Sequence, residues 1–346
     1  MQATIIGFDI AKSVFQIHGE DASGKKVLTK RLKRDATEAF FASLPPTVIG
    51  IEACGSSHHW GRLLSAMGHE VRLIPPGYVK PFVKRNKTDA RDAEAICEAI
   101  RRPSMKFVPV KSVDQQSGRA LENARGMLVR QRTQLMNAIR GMLAEVGVIA
   151  AKGQFGFNEL RDLVDNADPT IPASLLPALR PLLEQWRSAG EAAEGIETQI
   201  VARAKKDPSM RLLTSIPGIG AVSAHAICIA IGDGKRFSCG RDFAAWIGLT
   251  PLVYASGVRT RVGNISAKGD SGLRRLLVLG ASTVVRYAKT RAAKTEQDQW
   301  LHGVLARRPV KVATVARAAK NARVAWAVLT SGTPYQAKPL AAGGVA

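Results

Sequence analysis

Apolar and polar positions change rhythm several times along the chain. ATIIGFDIA is an apolar run of strand length with Asp9 near its end. VFQIHGE and KVLTKRLKR follow, separated by the turn-prone DASGK, and predict a meander. PPTVIGIEACG reads as a second buried strand and carries Glu52. HHWGRLLSAMG has the spacing of a short amphipathic helix and stops at Gly68. HEVRLIPP predicts another strand, and DARDAEAICEAIRR a helix. Strands and helices in this order predict an α/β layer with a mixed sheet.

From about residue 111 the period becomes helical. Leu121, Leu128, Leu135 and Met142 recur every seven residues. Leu182, Trp186, Ala189, Ala193, Ile196 and Ile200 alternate spacings of four and three. Both patterns are coiled-coil-like seams, serving either an internal helical hairpin or a dimerisation arm. A connector containing Pro, Asp and Gly, roughly 147–178, lies between them. Further on, SIPGIGAVSAHAI looks like a helix-hairpin-helix. There Gly218 and Gly220 would let a tight turn approach a phosphate, and the next helix start would offer its N–H groups. The plain alternative is an ordinary helix–Gly–helix junction. YASGVRTRVGNISAKGDSGLRR is a polar, Gly-rich loop, and from about 292 the chain predicts helices with basic faces and then a disordered tail.

Charge narrows the partners. The 346 residues suffice for two or three domains. The net charge is +22, so an anionic partner is expected. Residues 1–110 carry 17 Lys+Arg against 11 Asp+Glu, residues 111–207 carry 13 against 12, and residues 208–346 carry 20 against 5. Nucleic acid is the first candidate and an anionic membrane the second. No run of 18 apolar residues and no signal-peptide pattern is present, so a soluble cytoplasmic protein is expected, with no membrane partner. Cys54, Cys97, Cys228 and Cys239 form no C-x-x-C pair and no zinc spacing, which predicts reduced thiols. His58 and His59 are adjacent, about 100° apart on a helix, and cannot make an i, i+4 metal pair.

Two groups of residues carry candidate chemistry. RNKTDARDAEAI places Asp89 and Asp92 three residues apart behind Arg85 and Lys87. On a helix they share a face. They either cap the helix start or join other acids around a metal. Asp9 and Glu52 end apolar strands, where charge is rare. If those strands are neighbours, both acids leave one edge of the sheet, and the helix start reaches it. Asp9, Glu52, Asp89 and Asp92 would then hold one or two hard divalent cations, of which Mg²⁺ suits oxygen ligands and phosphate chemistry. The second group is Ser256, Ser266 and Ser271 among Arg259, Arg261, Lys268, Arg274 and Arg275. A serine that attacks a phosphodiester needs exposure, cations, and a base or metal to take its proton. No His lies nearby, and a turn or cap role stays open for each serine.

GFDIAK, IEACGSS and KTDARDAEAI resemble the RuvC-like, ribonuclease-H-fold DEDD domain of insertion-sequence-110 family transposases. RLLTSIPGIGAVSAHAICIAIG and FAAWIGLTPLVYASGVRTRVGNISAKGDSGLRRLLVLGA resemble that family's C-terminal transposase domain. The resemblance spans roughly residues 4–290, in family order. With the patterning above it implies a ribonuclease-H-like domain over 1–110, a helical coiled-coil region over 111–207, and a mainly α transposase domain with a helix-hairpin-helix over 208–330; the composition of 331–346 predicts a disordered tail. The family's nucleophilic serine sits in an S-G segment after a GLTP-like motif, and Ser256-Gly257 is the match here. The family often has S-G-G followed by basic residues where this chain has S-G-V-R, so Ser266 stays as a fallback. The resemblance also implies a bacterial, nucleoid-associated recombinase of donor and target DNA. Such an enzyme would form a phosphoserine link, assemble as homodimers and homotetramers, build a composite site with Mg²⁺, and take guidance from a structured bridge RNA. The alternatives are a RuvC-like junction nuclease that uses water, and a non-catalytic nucleic-acid-binding scaffold.

Overall fold

A computed structural model describes residues 3–83, 89–257 and 259–340, with Asp89 described in its backbone alone. Arg85 and Lys87 lie outside the described residues. The chain divides into two compact units, Met1–Gln116 and Ser117–Ala346. The first is mixed α/β, the second mainly helical.

The first unit holds a five-stranded sheet. Its strands are β1 (Ile5–Asp9), β2 (Val14–Glu20), β3 (Lys26–Lys33), β4 (Val48–Glu52) and β5 (Glu70–Ile74), in the order β3-β2-β1-β4-β5. β1, β2 and β3 pair antiparallel as a meander, while β4 lies parallel to β1 and β5 parallel to β4. The helices are α1 (Arg34–Ala42), α2 (Ser57–Ala66), α3 (Pro76–Val79) and α4 (Asp89–Ile100). Side chains alternate across a strand, so Ile6 and Phe8 face one side and Gly7 and Asp9 the other. On the first side Phe8 meets Phe15, Phe41 of α1 and Trp60 of α2 edge-on, with ring centroids 5.3, 5.0 and 5.5 Å away. Each such pair adds about 0.5–1.5 kcal/mol beyond area burial. The second side is covered by α4. A Cβ on Gly7 would lie 2.0 Å from the Ala93 carbonyl oxygen, and one on Gly50 would lie 1.9 Å from Ile100 Cδ1. The two glycines let α4 settle close to the sheet and bury Ile96 and Ile100.

The strands and α2 follow the apolar pattern of the sequence. Helix α1 does not, because the basic tail of β3 runs into it without a break and only Thr37 and Phe41 are buried on it.

The second unit begins within α5 (Val113–Glu145) and continues with α6 (Gln154–Asp165), α7 (Leu176–Lys206), α8 (Pro208–Thr214), α9 (Ala221–Ile231) and α10 (Gly240–Trp246). Next come β6 (Pro251–Ser256), β7 (Arg259–Ile265), α11 (Ser271–Ala288), α12 (Glu296–Arg307) and α13 (Val310–Ser331). The stretch expected as a connector holds α6, whose Phe157, Leu160 and Val164 recur at helical spacing. These three pack with Ile139 and Leu143 of α5 and with Leu179, Leu183 and Trp186 of α7. A second core joins Leu213, Ile227, Phe243, Leu277, Ala281, Ala318 and Ala322 from five helices. The stretch expected as a polar loop is an antiparallel hairpin, β6–β7. Among the described residues no helix is long and apolar enough to cross a membrane.

Candidate active site

Asp9 and Glu52 occupy the carboxyl ends of two adjacent parallel strands, where Phe8 pairs with Ile51. Asp9 is two residues beyond Gly7, and Glu52 two beyond Gly50, so both acids belong to the face that α4 covers. The helix runs against β1. Its Ala93 sits over Gly7, and Ile96 and Ile100 sit over Gly50. Arg101, just past its carboxyl end, bonds to Glu20, which pairs with Ile5, so the amino end of α4 lies toward Asp9. Asp92 directly precedes Ala93, and Asp89 opens the helix with its side chain outside those described. Asp9, Glu52 and Asp92 are each half-buried. Parallel pairing across a β2–β3 excursion, and glycines that let the helix come close, place Asp9, Glu52 and the start of α4 on one face, toward one end of the sheet. The donor set is all carboxylate oxygen, which fits a hard divalent cation.

At the other end of the same face sits a cluster that residue spacing did not reveal. The ligand-type atoms of His18, Glu20 and Cys97 all lie within 4.8 Å of one another. Here the polar groups satisfy each other. His18 Nε2 and Glu20 Oε1 are 3.2 Å apart, Arg101 Nε donates to Glu20 Oε2 at 2.9 Å, and Cys97 Sγ donates to the His18 carbonyl at 3.2 Å. Burial, with Glu20 adding to it, pushes the Cys97 thiol up to about 12. A protonated thiol is a poor metal ligand, and Arg101 already supplies the positive charge.

Ser256 lies in the second unit, at the tip of the β6–β7 hairpin. It pairs with Arg259, and Tyr254 pairs with Arg261. Cross-strand partners share a face, so one face carries Ser256, Tyr254, Arg259 and Arg261. The other carries Val253, Ala255, Thr260 and Val262. All eight are exposed. A two-stranded hairpin is marginal alone, and this one is fastened at its base. Ser266 N donates to the Thr250 carbonyl at 2.9 Å, and Ala267 N to the Gly248 carbonyl at 3.2 Å. Gly248 (φ +79°) and Gly269 (φ +74°) need the left-handed region, and Cβ atoms there would come 2.3 Å from Lys268 O and 1.9 Å from Trp246 O.

The remaining candidates divide. Ser266 is half-buried at the hairpin base. Ser271 is exposed at the first position of α11, and the Lys268 side chain is exposed before it. Arg274 works inside the protein, donating to the Ile247 and Lys268 carbonyls at 2.7 Å each. Arg275 is exposed. Gly218 (φ +90°) packs against the protein itself: a Cβ on Gly280 of α11 would lie 1.8 Å from its carbonyl oxygen. Gly220, before α9, faces open space.

A family profile described as a transposase of the DEDD type, IS110, matches residues 6–148, and one described as "Transposase IS116/IS110/IS902 family" matches residues 210–296. A probable family 20 transposase of Pseudomonas aeruginosa is 45% identical over 339 residues, covering 97% of this chain and 99% of its own. The chain belongs to the IS116/IS110/IS902 family of transposases. The transposase for insertion sequence element IS1111A of Coxiella burnetii is 38% identical over 333 residues, covering 96% of this chain and 91% of its own. That for IS1328 of Yersinia enterocolitica is 37% identical over 332 residues, covering 96% and 98%. The four acids lie in the first matched segment of the transposase, and Ser256 and Ser266 in the second. As an enzyme of DNA transposition it binds DNA, and its DEDD domain is of a kind that suggests a divalent metal.

Proposed function

We propose that this transposase cuts and rejoins the strands of an insertion sequence through a serine ester. The observation that supports the proposal is the shared face of Asp9, Glu52 and the start of α4 on a sheet ordered β3-β2-β1-β4-β5. That order, with a β1–β3 meander followed by two parallel strands, supports a ribonuclease-H-like domain. Asp9, Glu52, Asp89 and Asp92 would hold the metal, and Mg²⁺ is favoured by the all-oxygen donor set. When bound, the cation supplies neutralising charge at the phosphoryl oxygens.

Ser256 is the nucleophile in this proposal, and acids and serine act on the same scissile phosphodiester. Its Oγ bonds to phosphorus while the bond to one bridging deoxyribose oxygen breaks. The hydroxyl proton passes to a carboxylate of the acid set and from there to the leaving oxygen, which departs as an alcohol. Arg259 and Arg261, on the same hairpin face as Ser256, hold the non-bridging oxygens. A hydroxyl of another strand then attacks the serine ester, so rejoining needs no ATP. Ser266 is the fallback nucleophile. Lys268, Arg275 and the turn at Gly220 add contacts to the backbone of donor and target DNA, with Gly218 packed against α11 beneath that turn and Arg274 holding the loop that presents Lys268. The net charge of +22 also suits a structured bridge RNA, and the seams of α5 and α7 suit homodimers and homotetramers. The test is a denaturing gel of labelled DNA. Wild type gives a protein–DNA adduct, and Ser256→Ala gives none. Nicked DNA without an adduct in wild type would instead identify a metal-dependent nuclease that uses water.

A further inference from the structure

A cleft of about 410 Å³ opens in the second unit, between the amino halves of α5 and α11 and the start of α9. Its floor is Gly126, buried on α5. A Cβ placed there would lie 3.5 Å from Arg130 Nη1 and 3.8 Å from Arg275 Nη2. The two guanidinium groups, from helices far apart in sequence, thus converge over one glycine.

The carboxylates around the cleft are already bonded. Asp270 caps α11, accepting from Leu273 N at 2.9 Å, and pairs with Arg119 at 2.7 Å. Glu122 pairs with Arg119 and with His225, each at 2.9 Å. Glu197 pairs with Arg125 at 2.6 Å. Arg130 and Arg275 make no ion pair or hydrogen bond among the described residues. Two like charges held together without a carboxylate repel, and a shared anion relieves this. Ion pairs fasten the walls, Arg130 and Arg275 themselves are exposed, and guanidinium forks suit phosphate oxygens.

We propose that this cleft binds the phosphodiester backbone of a nucleic acid, with Arg130 and Arg275 as its two cationic contacts. The near-neutral charge of residues 111–207 concealed it, because the second arginine comes from α11. The proposal rests on the transposase engaging nucleic acid, and it joins Arg275 to Arg130 in a site whose lining includes none of the four acids and no residue of the β6–β7 hairpin.

The experiment measures binding of the full-length protein to a short duplex DNA and to an RNA hairpin across a salt series. Removing one cation from a bound phosphate makes the log–log salt slope shallower by about 1. The Arg130→Gln/Arg275→Gln double variant is expected to be shallower by about 2 on the polymer the cleft takes, which tells DNA from RNA. Gly126→Glu, which sets a carboxylate between the two arginines, is expected to weaken the same polymer while keeping the circular-dichroism spectrum of wild type. Arg161→Gln/Arg180→Gln, on α6 and α7, removes equal charge elsewhere and is expected to keep the wild-type slope. Unchanged slopes for the double variant on both polymers overturn the cleft alone, as does an equal change in the control pair. If wild type binds neither polymer, both the cleft and the nucleic-acid reading fail.

Discussion

Gly7→Ala tests the geometry of the acid site without touching an acid. The new methyl carbon would start 2.0 Å from the Ala93 carbonyl oxygen, 3.1 Å from the Ala93 carbonyl carbon and 3.1 Å from Cys97 N. All three are backbone atoms, so no side chain can turn aside. Restoring even a 3.0 Å separation requires α4 to move by about 1 Å, and such overpacking costs about 1–3 kcal/mol. For a unit of this size the midpoint should fall by about 4–24 °C, at roughly 4–8 °C per kcal/mol near 100 residues. Because Ala93 follows Asp92, the same movement carries that carboxylate away from Asp9 and Glu52. A 1 Å misplacement of a reacting group costs about 10²-fold in rate. The assays are thermal unfolding followed by circular dichroism, and cleavage of labelled DNA held well below the midpoint. Gly77→Ala is the control, since nothing lies within 4 Å of a Cβ there. If Gly7→Ala melts and cleaves like wild type, α4 does not position the acids.

Three further outcomes are expected. Asp9→Asn and Asp92→Asn should each abolish strand cleavage in Mg²⁺ while duplex binding by gel shift stays near wild type; full cleavage by either would remove that acid from the site. Phe8→Ala should cost about 3–5 kcal/mol in denaturant unfolding, because Phe8 is fully buried among three aromatic rings, and a loss under about 1 kcal/mol would contradict that packing. The Cys97 thiol, ordinarily near 9.0, is held up at about 12 by burial. Above pH 9 the unfolded chain loses this proton and the folded one keeps it, so stability should fall as pH rises toward 12, by up to about 1.4 kcal/mol per pH unit. Cys97→Ala should flatten that fall, and an identical slope in the variant would contradict it.

What the sequence made legible depended on whether an element buries one regular face. β1, β2, β4 and β5 are apolar runs with clear ends, and they stand where the pattern puts them. Helix α6 was hidden because Gly153, Gly156 and the surrounding acids look like a connector, although Phe157, Leu160 and Val164 are its buried stripe. The β6–β7 hairpin was hidden for the opposite reason: both its faces are exposed, so neither shows alternation. The neighbourhood of Asp9 and Glu52 required β1 to pair with β4 across a meander and a helix, which no local pattern specifies. The close approach of α4 over Gly7 and Gly50 became visible only once that pairing was known. Arg274 read as a phosphate contact because its two carbonyl partners lie six and 27 residues away, at Lys268 and Ile247.

The covalent serine ester stands or falls on which residue carries the DNA end. The full-length transposase is incubated with Mg²⁺ and insertion-sequence DNA, with and without a transcript of the element's non-coding end. The adduct is trimmed with nuclease and digested with protease, and the peptide spanning the β6–β7 hairpin is fragmented by mass spectrometry. A nucleotide remnant is expected on Ser256 in wild type and is expected to be absent from Asp9→Asn and Ser256→Ala. A remnant on Ser266, or nicked DNA with no modified peptide at all, would contradict it.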